Sequence, residues 1–362
     1  MEVYHKDRQL NSFDIRKSGI NAAFLLYYYF MMKDGSKLGA FIVPTGVGAS
    51  IGGYAGDASC WARKFSGLAK LIVNPNVVNA GGFSGINDNM LYLEGYSLDS
   101  FFKGEINLTE SSGNKIGVVF DKAIPREVLN VHINTINAVK TVYGVDTAEF
   151  VQTDSEIGVE FFIDESGIST GAVKNPDTML DAARKLLNNG CDAIAVVGMF
   201  ENPEEDNEDY SNGVGVDPVG GVEAILSHYI SRELKVPCAH SPAFEDLSIS
   251  TYLVNPKAAS EYITPTFLPC VLLGLNNAPV LSLDAGDISV KDLDFLVMPY
   301  NSLGGVPVFE AIKRKIPVFA VKENSTELDV TKQKLFDGAG IIECETYQEC
   351  YNLISSGSVL MS

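Results

Sequence analysis

The chain has 362 residues, 46% of them hydrophobic and 20% charged, which is the make-up of an ordinary globular protein with room for one large or two medium domains. Its formal net charge of −19 argues against a nucleic-acid-binding surface, because neutralising phosphates takes clusters of Lys and Arg. Six cysteines without any C-x-x-C pair argue against a zinc ribbon or a thioredoxin-like centre and read as reduced cytosolic thiols.

The chain opens on a polar, charged stretch, followed by the apolar run 22–32. That run is too short to span a bilayer and has no small-residue cleavage site behind it, so it reads as a buried element rather than a secretory signal. Residues 1–37 are expected to be an extension packed on the first lobe. A first α/β lobe is expected over 38–146 and a second over 147–362.

The first strand, Ala40-Phe-Ile-Val43, runs into Pro44-Thr-Gly-Val-Gly-Ala-Ser-Ile-Gly-Gly-Tyr-Ala-Gly56. A helix is predicted from Asp57 to about 69, with Ala58, Trp61, Ala62, Phe65 and Leu68 on one face and Asp57 as its N-cap. Strand, glycine loop and helix together form a layout that can cradle an anion on converging N–H groups. Strands follow at 71–73, 90–94, 116–120 and 149–152, with a helix over 125–142 before the last of them. Val159–Ile163 and 168–173 flank Asp164-Glu-Ser-Gly167, the signature of an antiparallel hairpin. A helix from Asn175-Pro-Asp177 to Asn189-Gly190 leads to strand 193–197. The segment 201–209, with six acidic residues, reads as a solvated loop.

The first glycine loop has two echoes. Gly213-Val-Gly-Val-Asp-Pro-Val-Gly-Gly221 lies between strand 193–197 and a helix over 222–234. Pro299-Tyr-Asn-Ser-Leu-Gly-Gly305 lies between strand 295–298 and a helix over 306–315. None continues into the Gly-Lys-Ser/Thr of a P-loop, and none has clean G-x-G-x-x-G spacing. At the carboxyl ends of parallel strands, such loops line ligand clefts. The expected ligand-binding residues are therefore Thr45, Gly46, Gly48, Ser50, Gly52, Gly53, Asn76, Asn79, Gly220, Gly221, Asn301, Ser302, Gly304 and Gly305.

The expected chemistry centres on Pro237-Cys-Ala-His-Ser-Pro242. Cys238 and His240 are two apart on a strand and so share a face; a thiol and an imidazole there can move protons or attack a carbon. Asp217, inside the second loop, and Glu94, at the end of an apolar strand, complete the candidate catalytic set. Glu223, in the first turn of its helix, reads as a cap. Cys270, in an apolar run, reads as core, with the alternative that it faces Cys238.

Several of these runs occur together: 43–57, Asn74-Pro-Asn-Val-Val-Asn79, Tyr92-Leu-Glu-Gly-Tyr96, 213–223, 237–243 and Thr266-Phe-Leu-Pro-Cys-Val-Leu-Leu-Gly-Leu275. In this combination the chain resembles a bacterial and cyanobacterial family known as domain of unknown function 3326, from about residue 38 to the C-terminus. The resemblance implies one unit but no activity. Two looser likenesses imply mechanisms. Residues 237–242 are similar to the Cys-Thr-His segment of aspartate/glutamate racemases, which implies a partner thiol at Cys60 or Cys270. Residues 304–319 look like the nucleotide-sugar segment of two-domain glycosyltransferases, which implies a diphosphate at Gly304-Gly305 and a ribose at Glu310.

The expectation is thus a two-lobed α/β protein, mostly parallel sheets with Gly-Gly loops at helix starts and one antiparallel hairpin. It would be a cytoplasmic isomerase- or hydrolase-type enzyme for a small anionic metabolite. No cofactor, metal, nucleic acid or membrane is expected, and a homo-oligomer is a base-rate expectation. The alternatives are a nucleotide-sugar transferase and a non-enzymatic metabolite-binding protein.

Overall fold

A computed structural model describes residues 37–201, 208–284, 286–335 and 340–357. The expectations for the N-terminal extension, and for most of the acidic segment 201–209, lie outside these residues.

The apolar runs become short strands because each is only a few residues long, rich in Val, Ile, Leu and Phe, and bounded by Gly, Asn or Pro. In chain order they are β1 (Leu38–Phe41), β2 (Lys70–Val73), the small ribbon β3 (Asn79–Ala80) and β4 (Phe83–Ser84), β5 (Met90–Tyr92) and β6 (Asn107–Thr109). Then come β7 (Ile116–Phe120), β8 (Thr147–Gln152), the hairpin β9 (Val159–Ile163) and β10 (Ser169–Val173), β11 (Ala193–Met199) and β12 (Cys238–Ala243). Last are β13 (Val280–Ser282), β14 (Phe295–Pro299), β15 (Val318–Val321) and β16 (Ile341–Cys344).

These make a six-stranded parallel sheet in the order β16-β15-β14-β1-β2-β5 and a four-stranded parallel sheet in the order β12-β11-β7-β8. The protein is α/β, mostly parallel, as its sequence pattern implies. The expected hairpin is present, with Gly167 at φ +81 in its turn and Asp164 Oδ1 accepting from the Ser166 and Ile168 amides. Further antiparallel pairs join β3 to β4 and β6 to β13.

The chain does not pass through the sheets one after the other. The six-stranded sheet draws on both ends, residues 38–92 and 295–344, while the four-stranded sheet is the stretch between them. A boundary at residue 146 therefore falls inside the four-stranded sheet, between β7 and β8. The reason is that β14 enters beside β1, at the centre of the larger sheet.

One buried cluster spans both sheets. Phe41, Val73 and Phe295 of the larger sheet and Val118, Ala195 and Ala239 of the smaller share it with the helix Leu268–Asn276. That helix packs closely: a Cβ on Gly274 would stand 2.7 Å from the Tyr92 ring. The apolar run holding Cys270 is thus an interior helix between the sheets. The helix Gly220–Leu234 covers the other face of the smaller sheet through Val222, Leu226 and Ile230. It also packs against the helix Gly95–Lys103, which follows β5. The two edge strands β5 and β12 are thereby brought close, each followed or flanked by one of these helices.

Candidate functional site

The carboxyl ends of β1, β2 and β12 and the loop after β11 converge on a cleft of about 70 Å³. This is where parallel α/β sheets generally hold ligands. Thr45, Gly52, Gly53, Asn76 and Asn79 line it from the larger sheet; Asp217, Gly220, Glu223 and His240 line it from the smaller. The first two glycine loops therefore meet at one cleft.

The third loop does not reach it. Asn301 is spent on its neighbours, donating to the Thr326 and Leu328 carbonyls and accepting from the Thr326 amide at 2.6–2.9 Å. Ser302 is buried and bonds Pro299, Gly304 faces Val330, and Gly305 precedes the helix Val306–Arg314. Glu310 pairs with Arg314. Three other expected ligand residues are likewise structural. Gly46 accepts from the Ser169 amide, Gly48 faces Glu327 and Val216, and Ser50 is tied to Glu323 and Ser325. Gly221 lies so close to the hairpin that a Cβ would come 1.9 Å from the Ser169 carbonyl. Of the Gly-Gly pairs, only the second and third stand at a helix start; Gly52-Gly53 precedes the helix Ser59–Ser66 by a further turn of irregular chain.

The cradles themselves are filled by the protein. Asp57 caps no helix; its Oδ1 accepts from the Gly52 amide at 2.7 Å. Glu261 Oε1 accepts from the Ala55 amide at 2.6 Å and from the Tyr210 hydroxyl at 3.1 Å. Asp217 Oδ1 accepts from the Val219 amide at 3.0 Å. Backbone donors that a loop of this kind offers to an anion are here bonded to internal carboxylates.

His240 is the positive counterweight. Its Nδ1 stands 2.8 Å from Ser227 Oγ and 3.3 Å from Glu94 Oε1, and Ser227 Oγ also bonds Glu94 Oε2. With the imidazole protonated, Nδ1–H donates to Ser227, whose own O–H donates to Glu94. Burial alone would lower the His240 pKa, but Glu94, then Glu223 and Asp217, outweigh it and push it up to about 9. Glu223 is buried, with Oε1 free of any hydrogen bond among the described residues. Burial pushes it up to about 8, against the pull of His240, and burial likewise pushes Glu261 up to about 8. Burial raises Asp217 as well. No Lys or Arg side chain is among the residues lining the cleft.

The expected thiol–imidazole pair is not assembled there. Cys238 and His240 do share a face of β12, but Cys238 lies two residues deeper, packed with Val196, Leu226 and Ile230. Burial, then Glu94, pushes its thiol well above the usual range. The thiol in the cleft is Cys270, in the first turn of the helix Leu268–Asn276, within 3.0 Å of the Phe267 carbonyl and pushed up to about 12 by burial. Neither is poised as a thiolate. Cys60, by contrast, is exposed on its helix. On the native protein a thiol reagent should label Cys60 quickly and the other five only on unfolding. Fast labelling of Cys238, read by mass spectrometry, would restore it as a nucleophile.

Sequence reasoning missed Glu261 altogether, since it sits in the four-residue helix Ala259–Tyr262 with no pattern around it. It underrated Glu223, whose first-turn position looks like a cap although it makes none. It could not reach Ser227, one buried serine within an amphipathic helix.

A comparison with protein families matches residues 39–359 to one described as "Protein of unknown function (DUF3326)". The chain belongs to that family. It is 37% identical over 330 residues to an uncharacterised lipoprotein of Synechococcus sp., covering 89% of this chain and 90% of that protein. No solved structure matches the DUF3326 chain. Among the described residues, no group of three or more His, Cys, Asp or Glu side chains is arranged to hold a metal ion, and no helix is long and apolar enough to cross a membrane.

Proposed function

We propose that this DUF3326 protein is an acid–base enzyme, of isomerase or hydrolase type, acting on a small polar metabolite that brings hydrogen-bond donors. The observation that carries this reading is Glu223. A buried carboxyl with an unengaged oxygen at the cleft, pushed up to about 8 beside an imidazole held at about 9, is poised to exchange a proton near neutral pH. His240, fixed through Ser227 and Glu94, supplies the opposite charge and a second proton. Cys238 has no part in this chemistry.

The ligand class follows from what the cleft offers. Asp217, Glu223 and Glu261 present carboxyl oxygens that accept even where the group is protonated, while the Gly52, Ala55 and Val219 amides are already bonded to carboxyl groups. Hydroxyl or amine groups suit this surface better than the phosphate or multiple carboxylates expected from the glycine loops, because a second anion would meet only one cationic side chain. A single negative group beside His240 is compatible. Nucleotide-sugar transfer has less support, since the third loop and Glu310 are engaged elsewhere.

The test is a thermal-shift screen of the full chain with polyols, amino sugars and small amines against nucleotides and di- and tricarboxylates. The expected result is stabilisation by a donor-rich compound that Glu223→Gln abolishes. Stabilisation by a polyanion that survives Glu223→Gln would overturn the reading.

A cytoplasmic setting is part of the proposal. All six cysteines are free thiols, and five of them are buried, as in proteins of reducing compartments. The Synechococcus relative is named a lipoprotein, so cell fractionation is the deciding measurement; recovery of this chain with membranes would exclude a cytoplasmic location.

A further inference from the structure

Glu94 does not line the cleft. It borders a separate inner cavity of about 10 Å³, which it shares with Ser97, Cys238 and Leu281. A cavity of that size holds about one water molecule. Ser97 and Leu281 also border an outer cavity of about 110 Å³, lined further by Ser100, Tyr96, Lys235 and Glu105. Lys235 and Glu105 are exposed, so the outer cavity opens to solvent between them. Ser97 stands at the junction. It is 3% exposed, and its hydroxyl has no hydrogen-bond partner among the described residues. An unpaired buried hydroxyl costs about 1–3 kcal/mol, so it calls for a water on one or both sides.

We propose that Glu94, Ser97 and the two cavities form a water-bridged proton path between His240 and solvent at Lys235 and Glu105. The inference rests on the acid–base reading of the cleft and gives it a way to reset. Nδ1 of His240 is engaged by Ser227 and Glu94, so its proton leaves on that side whether the cleft is empty or filled. The exit then runs from Nδ1–H of His240 through Ser227 to Glu94, on to a water in the inner cavity, and to Ser97. Ser97 accepts a proton on Oγ and releases its own to a water of the outer cavity. The Nδ1–H bond broken at the start is matched by the O–H bond formed on bulk water at the end, each O–H bond broken in between is matched by one formed, and no electrons change hands. Ser97 touches no ligand; it acts through Glu94.

The experiment uses the full chain labelled with ¹⁵N-histidine, in which four histidines give a resolvable spectrum and His240→Asn assigns the signal. Two quantities are read: the His240 pKa, and the rate at which its Nδ1–H exchanges with water. In Ser97→Ala the rate is expected to fall about tenfold, the effect of about 1.4 kcal/mol on a barrier, with the pKa unchanged. Ser97→Thr, which keeps a hydroxyl, should restore most of the rate. Ser100→Ala, in the outer cavity, should slow exchange as well and serves if Ser97→Ala does not fold. Exchange unaltered in Ser97→Ala, or slowed equally in Ser97→Thr, would overturn the path. The two readings fail separately. A His240 pKa at the ordinary value would remove the acid–base reading, whereas an elevated pKa with unaltered exchange would remove only the path.

Discussion

Raising the pH from 6 to 9 is expected to cost this protein at least about 5 kcal/mol of unfolding free energy, a large share of the 5–15 kcal/mol typical of a folded protein. His240 and Glu223 account for that figure, and Glu261, likewise pushed up to about 8 by burial, adds to it in the same direction. The folded-state pKa of His240 is about 9 against an ordinary 6.5, so the stability it contributes is complete below pH 6.5 and lost as pH rises through 9. That is about 3 kcal/mol at 1.36 kcal/mol per unit. The Glu223 carboxyl titrates near 8 when folded against an ordinary 4.5, so its contribution is also present at low pH and fades between 4.5 and 8. The part falling above pH 6 is about another 3 kcal/mol, and because the two groups interact the sum is trimmed to about 5. Urea unfolding at pH 6, 7.5 and 9 measures it. Glu223→Gln, which cannot ionise, should make the dependence below pH 8 shallower and leave the parts that come from His240 and Glu261. A stability that stayed level or rose over this range would contradict the burial and charge described for the cleft.

The second large effect is expected at Glu94. Its charge is the strongest influence holding His240 in the protonated form. In Glu94→Gln the shape and the bond to Ser227 are kept, but burial then prevails and the His240 pKa should drop from about 9 to 6.5 or below. That is about a 300-fold loss of proton affinity. Glu223 and Asp217 remain and limit the fall. Histidine NMR titration reads the change directly, with His132, already lowered by burial, as an internal reference that should not move. A His240 pKa still near 9 in this variant would mean that Glu94 is not its counter-ion.

The elements of this fold were legible because their signals are local. Val159–Ile163, Asp164–Gly167 and Ser169–Val173 form a hairpin since alternation and one glycine at positive φ are enough to make one. The approximate position of the cleft was legible too, from glycines after apolar runs. The chemistry was not. Glu94 and His240 are 146 residues apart and meet only because β5 and β12 are the edges of two different sheets. The glycine loops suggested an anion from outside, and nothing nearby reveals that Asp57, Glu261 and Asp217 take that place; Glu261 comes from more than two hundred residues away. Cys238 misled because alternation gives the face of a strand but not the depth along it. Residues 238 and 240 share a face, and only the second reaches the cleft.

The placement of β14 beside β1 also bears on how the molecule comes to be made. Leu38 donates its amide to Asp294, across 256 residues. During synthesis β1 and β2 leave the ribosome early and wait with one flank open until most of the chain has emerged, while everything needed for the four-stranded sheet is already present. The smaller sheet is therefore free to assemble first, and the larger one closes last around its own beginning. A chain halted before β14 would carry the cleft's His240 and Glu223, with Glu94 behind them, yet expose the flank of β1 to any strand that met it. Losses at the C-terminal end should thus be felt first as aggregation, and a prematurely ended chain is a target for chaperones rather than a smaller working protein.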